Sequence, residues 1–279
     1  MARKSNLHVF LASWSNQFAV ATFLLVVLMA IFAPWLWTQD PTYIDAVERL
    51  QGPSVAHWLG TDDLGRDLYS RIIYGSRVSL LVGIGVLGVC IVAGVLLGAV
   101  AGYFRALDGP IMRTMDGIMA IPAVLLAIAL VSLSGASMGT VIIGIAIPEI
   151  PRVTRLVRSV MLSVRVEPYV EAAVTLGTPA PKVILRHMLP NAVAPLIVQG
   201  TFIFAHAVLL EAILSFLGAG VPPEVPSWGN IVAQGRSYFQ LLPGLVLYPG
   251  IVLSLSILAI NIIGDAARDA LDPRLAARN

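Results

Sequence analysis

Polar residues are scarce along this chain, and where they fall divides it. Apolar runs cover 17–37, 78–102, 118–137, 192–218 and 241–264, and Glu211 is the one Asp, Glu, Lys or Arg within them. Each is long enough for a helix to cross a bilayer, which takes about 20 apolar residues. A sixth stretch, 138–161, begins apolar and then meets Glu149, Arg152, Arg155 and Arg158. The arginines recur every three residues, a helical spacing that lets long side chains snorkel toward an interface.

The distribution of lysine and arginine decides whether the sixth stretch spans. With six spans and an inner N-terminus, 13 of the 18 basic residues lie on the inner side and 5 on the outer. Removing the sixth span puts the cluster from Arg152 to Arg186 outside and reverses the bias. The expected fold is therefore all-α and polytopic, with six transmembrane helices and both termini cytoplasmic. A cytoplasmic segment over 1–16 precedes a membrane domain over 17–274, and a short cytoplasmic tail covers 275–279.

Composition agrees. Of the 279 residues 57% are hydrophobic and 12% charged, against about 25% charged in a soluble domain. A net charge of +2 makes no case for nucleic acid. The lone cysteine, Cys90, permits neither an internal disulfide nor a cysteine metal cage.

The inner loop over 162–191 stands out for its polarity: "EAAVTLGTPAPKVILRHMLPN". Pro168 suits a first helical position and Glu171 the first turn, where a negative charge meets the positive end of the helix dipole. Ala172 and Ala173 leave a low-relief surface. Gly177 stops the helix, Thr178 and Pro179 start a second one, and Pro190 ends that before the fifth span. Both helices are shorter than the 12–15 residues that make an isolated helix marginal, so both must lean on something.

On the outer side, Leu64, Leu68 and Ile72 share one helical face. Asp62–Arg66 and Asp67–Arg71 stand four residues apart. This predicts a short interfacial helix from Asp63 to Tyr74, turned into the second span at Gly75 and carrying Asp63, Arg66, Asp67 and Arg71. The proline-rich stretch 219–240 predicts a stiff outer loop with Trp228 anchored at the membrane surface. Within the spans, Glu149 and Glu211 are candidates for a pathway or gate, because a buried charge in a bilayer must face protein or water. His206 reads as an interhelical contact. Gly94 and Gly98 permit close helix approach, within the subunit or between subunits.

Glu171-Ala172-Ala173, Gly177, His187, Leu189 and Pro190 resemble the "EAA" loop of the membrane subunits of bacterial ABC importers. "GTDDLGRDLYSRIIYGSRVSL", "EAILSFLGAGVPPEVPSWG" and "DAARDALDPR" resemble the "C"-type permeases of the dipeptide, oligopeptide and nickel branch. The resemblance implies the type I importer permease fold, with cytoplasmic EAA helices that dock on an ATPase. It also implies the partners: a second homologous permease, two cytoplasmic ATPase subunits and an extracytoplasmic solute-binding protein, at the inner membrane of a bacterium. The implied cargo is a di- or oligopeptide, with nickel, glutathione or another small solute as alternatives.

Lys4 and Lys182 are the only lysines, and neither sits in a phosphate-binding glycine loop. No catalytic residue, metal or cofactor is expected in this chain; ATP and magnesium belong to the partner subunits. A stand-alone secondary transporter needs ionisable groups paired along a midplane path, and only Glu149, His206 and Glu211 qualify. A purely structural membrane scaffold is the third reading.

Overall fold

A computed structural model describes residues 13–271. Arg3, Lys4 and the tail over 275–279 lie outside the described residues. The helices are α1 (Trp14–Phe32), α2 (Leu68–Tyr103), α3 (Arg105–Met119), α4 (Ala123–Ser134) and α5 (Met138–Val164). They continue with α6 (Pro168–Thr175), α7 (Ala180–Val183), α8 (Val193–Phe216), α9 (Trp228–Gly235) and α10 (Gly244–Leu271). No strand occurs among the described residues; Thr61 and Asp67 form an isolated antiparallel bridge.

Four helical stretches are long and apolar enough to cross a membrane: Trp14–Trp35, Leu68–Tyr103, Ala180–Phe216 and Gly244–Leu271. A fifth arises if α3 and α4 are taken as one broken span. The run 118–137 is therefore not the single helix that its hydropathy predicts. It breaks before Pro122, where α3 and α4 meet at 89°. Proline rejects a helical residue before it and cannot donate an N–H. α4 alone has 12 residues, about 18 Å of helix.

α2 is the mast of the fold. Its 36 residues extend about 54 Å, well beyond a hydrocarbon core about 30 Å thick. α5 lies along it. The reason is a ladder of glycines on α2. A Cβ on Gly94 would stand 2.4 Å from Val153 Cβ, and one on Gly102 would stand 2.4 Å from Met161 Cβ. One on Gly98 would meet Thr154 O at 2.6 Å. These glycines therefore serve packing inside the subunit, which answers the question their spacing left open. Val86, Cys90, Ile145, Val153, Val157 and Met161 fill this seam. A second cluster, with Leu68, Ile72, Phe204, Val208 and Trp228, joins the N-terminal half of α2 to α8, α9 and α10.

Three other expectations change. The helix expected over Asp63–Tyr74 starts only at Leu68, with Asp67 as its cap. It then runs through Gly75 without a turn, so there is no separate interfacial helix. Trp228 is not a surface anchor: it is fully buried, because the proline-rich segment 219–240 folds back as α9 against α2, α8 and α10. Nor do the arginines of α5 all snorkel free. Arg155 pairs with Asp116 at 2.6 Å and Arg158 with Asp108 at 2.5 Å, both on α3.

Candidate functional site

The segment between α5 and α8 is built as a rigid helical turn. Pro168 occupies the first turn of α6. Gly177, at φ +75°, closes it in the left-handed region that costs glycine nothing. The Gly177 N–H donates to Val174 O at 2.9 Å and the Thr178 N–H to Ala173 O at 3.1 Å. That pair of bonds satisfies two carbonyls at the helix end. Val170 and Ala173 pack inward, as do Val183 and Met188 further on. Ala172 and Glu171 face outward. Ala172 is therefore exposed while its neighbour Ala173 is buried, so the two do not form one smooth outer face.

Beyond Gly177, Thr178 does not act as a side-chain cap; Pro179 occupies that position before α7. Nor does Pro190 end the helical path. Ile184–Met188 form a π turn and Leu189–Ala192 a 3-10 turn, so the chain stays helical from Ala180 to Phe216. Proline frees carbonyls in the preceding turn, and the next residue covers them. Asn191 Nδ2 donates to His187 O at 2.9 Å and to Met188 O at 3.1 Å, and also to Tyr169 Oη on α6 at 3.2 Å. His187 and Leu189 are half-buried; Pro190 is exposed.

The outward side of this segment carries exposed apolar side chains among the exposed Glu171, Lys182 and Arg186. Tyr169, Val174, Leu176 and Leu185 are 45%, 50%, 85% and 65% exposed. Such a patch on an ordered, hydrogen-bonded element marks a surface for contact rather than a solvated loop.

Glu149 and Glu211 are both fully buried, but their surroundings differ. Glu211 on α8 is a hub. Its Oε1 accepts from Ser215 at 2.8 Å and Ser227 at 2.7 Å, and its Oε2 accepts from Ser79 on α2 at 3.4 Å. Ser227 caps α9, accepting from Asn230 N at 3.1 Å. The Trp228 N–H donates to Ser79 Oγ at 3.3 Å, and Trp228 Nε1 to Ile72 O at 3.1 Å. One carboxylate thereby joins α2, α8 and the start of α9. Neither Ser79 nor Ser227 stands out in sequence, since no local spacing connects them to Glu211.

Glu149 on α5 sits between Pro148 and Pro151. Its Oε1 lies 3.0 Å from His206 Nδ1 on α8, and its Oε2 lies 3.0 Å from Arg152 Nη1. These contacts are close but poorly aligned, so neither oxygen gains a well-directed hydrogen bond. Sequence spacing exposes Arg152 as a neighbour; it does not reveal His206.

The third polar cluster holds the segment before α2. Asp62 pairs with Arg66 at 2.8 Å and also with Arg71. The Asp62–Arg66 pairing foreseen in sequence is present, on a turn rather than a helix. Arg71 takes Asp62 and not Asp67, because Asp67 is occupied elsewhere. Asp67 accepts from Ser70 N at 2.7 Å and meets His57 Nδ1 at 2.9 Å, while His57 Nε2 meets Glu48 at 2.7 Å. Burial pulls the His57 pKa down, but the bonds to Asp67 and Glu48 outweigh it, and the pKa is raised above 6.5. Asp63 is only partly buried; its carbonyl accepts from Arg49 Nε at 2.6 Å. Arg66 Nη2 donates to Gln234 on α9 at 2.9 Å. Among the described residues no group of His, Cys, Asp and Glu has the arrangement of a metal site.

Comparison with known proteins follows the same lines. The family model described as "Binding-protein-dependent transport system inner membrane component" matches residues 91–277. The "N-terminal TM domain of oligopeptide transport permease C" matches residues 6–53. A probable peptide ABC transporter permease protein of Sinorhizobium fredii is 51% identical over 88% of this chain and 84% of its own length. The dipeptide transport system permease protein of Alkalihalophilus pseudofirmus is 42% identical over 93% and 87%. The glutathione transport system permease protein of Pectobacterium atrosepticum is 39% identical over 90% and 84%.

Among solved structures, a chain of the inward-facing MetNI methionine ABC transporter superposes with a TM-score of 0.59 at 17% identity, covering 72% of this chain and 97% of that one. That likeness concerns the fold. With two thirds of the chain under one family model and relatives above 40% identity, this multi-pass membrane protein belongs to the binding-protein-dependent transport system inner membrane components.

Proposed function

We propose that the chain is the membrane-spanning permease subunit of an ATP-driven importer, and that its cargo is a di- or oligopeptide. The observation that carries this reading is the segment from Pro168 to Ala192. It is rigid and helical, it joins α5 to α8, and it turns an apolar patch away from the chain's own core. A partner seated there can transmit force directly into two membrane helices. In this reading Glu171, Ala172, Ala173, Gly177, His187, Leu189 and Pro190 belong to the docking segment, and the seat is a cytoplasmic ATPase. Ala172 and Glu171 face the ATPase, Ala173 anchors the helix, and Gly177 sets the angle.

The same reading takes six spans: α1, α2, the bent pair α3 and α4, α5, α8 and α10. α5 is the polar one. Its charges are paired with Asp108, Asp116 and His206, and pairing lowers the cost of a charged helix in a bilayer. Both termini then lie inside, with the Pro168–Ala192 segment. The partners are two ATPase subunits, a second permease and an extracytoplasmic solute-binding protein. Peptide cargo is supported by the names of the relatives from Sinorhizobium fredii and Alkalihalophilus pseudofirmus. The glutathione relative keeps a small γ-linked peptide within the same class.

Co-purification from detergent tests the proposal. The unsubstituted chain should bring down an ATPase encoded beside it, and Glu171→Arg or Gly177→Asp should release that ATPase while the chain still inserts. An ATPase retained equally by both variants contradicts the docking role.

A further inference from the structure

Glu149, Arg152 and His206 form a cluster with an unusual distribution of exposure. The Glu149 side chain is 1% exposed, whereas Arg152 is 49% and His206 33% exposed. The two basic groups approach opposite oxygens of one carboxylate, each at 3.0 Å. Glu149 thus braces them from behind while their outer sides stay open. Among the described residues no hydrogen bond engages His206 Nε2 or the remaining guanidinium nitrogens of Arg152.

The depth of the cluster gives this geometry its meaning. His206 is 13 residues beyond Val193, the first residue of α8, or about 20 Å along the helix. Glu149 lies near the middle of α5. At that depth a polar side chain open to lipid is penalised, so the open sides of Arg152 and His206 must face water or protein. The other arginines of α5 each have an aspartate on α3. Among the described residues, Arg152 pairs with Glu149 alone and shares that carboxylate with His206.

We propose that Arg152 and His206, held in place by Glu149, form a binding site for a carboxylate group of the transported solute, on the face of the chain turned to the translocation pathway. A peptide offers such a group at its C-terminus, and the open nitrogens of the Arg152 guanidinium supply directed donors for it, with His206 beside them. Pro148 and Pro151 flank the bracing residue. They remove two helical hydrogen bonds there, so α5 can bend at the site as the pathway opens and closes. The inference rests on the importer reading, and its test separates the two.

The test uses the complete complex with Leu209→Cys as reporter. Leu209 lies one turn from His206 and is 39% exposed, while Cys90, the chain's own thiol, is 0% exposed. A sulfonate-bearing methanethiosulfonate should modify Leu209→Cys about tenfold faster than its trimethylammonium counterpart, as a local positive field concentrates anions. Arg152→Gln with His206→Gln should erase that preference. Arg152→Lys, which keeps the charge, should retain it and so separates charge from folding. Alanine tripeptide with a free carboxylate should slow the modification, and its C-terminal amide should not.

No modification, equal rates for both reagents, or equal slowing by acid and amide overturns the site. Labelling needs neither ATP hydrolysis nor uptake. A complex that imports peptide without anionic preference refutes the site alone. One that shows the preference yet loses no ATPase on Glu171→Arg refutes the docking reading alone.

Discussion

Two glutamates are buried in the apolar body of this chain, and they solve the same electrostatic problem differently. Glu211 spends its acceptors on three serine hydroxyls drawn from α2, α8 and the cap of α9. No other group need approach it, and it lines no open surface. Glu149 has two basic neighbours, both partly exposed and neither well aligned. A closed network of satisfied hydrogen bonds rigidifies a protein, whereas a partly satisfied one is costly unless something else completes it. The first arrangement is a structural bolt that holds the α9 segment down. The second keeps its binding capacity for use.

Substitutions that separate stability from transport test this contrast. Glu211→Ala should have the largest effect. It strands the hydroxyls of Ser79, Ser215 and Ser227, at about 1–3 kcal/mol for each buried group left without a partner. Thermal unfolding in detergent should show a large loss, and Glu211→Gln, which can still accept and donate, should recover most of it. Gly94→Val comes next. Its Cβ would press on Val153, and overpacking of this kind costs about 1–3 kcal/mol. Because Val153 follows Arg152, uptake should fall together with stability.

Glu149→Gln should behave in the opposite way. It removes a buried charge that lacks aligned hydrogen bonds, so unfolding should shift little, while the loss of its brace on Arg152 and His206 lowers transport several-fold. Equal destabilisation by Glu149→Gln and Glu211→Ala would erase the distinction.

The smallest effect belongs to His57, in the closed cluster outside the spans. Its pKa is raised in the folded chain, so its contribution is fully present below the unfolded value of about 6.5 and is lost as pH rises through the folded value. Hydrogen exchange over 45–67 should therefore quicken as pH rises through that interval, beyond the intrinsic chemical rate. His57→Gln should remove the extra dependence.

Much of this architecture was legible from local pattern. The apolar runs that became α1, α2, α8 and α10 announced themselves by length, and Pro168 and Gly177 bounded α6 as their backbone chemistry requires. What remained hidden depends on distance along the chain. Arg158 meets Asp108 50 residues away, and Glu211 meets Ser79 132 residues away. No helical spacing encodes such pairs. The break before Pro122 was visible as a proline but masked by high hydropathy on both sides. Pro190 misled in the other direction: a proline signals a stop, but Asn191 Nδ2 donates to the carbonyls of His187 and Met188 before it, and the helix continues. Trp228 looked like an interfacial anchor because its partner, Ile72 O, lies on a distant helix.

The central claim is that the outward side of the Pro168–Ala192 segment seats a cytoplasmic ATPase. Leu176, 85% exposed, is its most prominent side chain, and Cys90 is too deeply buried to compete. Leu176→Cys in cells that also express the ATPase should form a cross-link to that subunit with a short homobifunctional maleimide, and should resist membrane-impermeant thiol reagents applied to intact cells. Labelling from outside the cell without any cross-link would place this segment on the wrong side of the membrane and contradict the account.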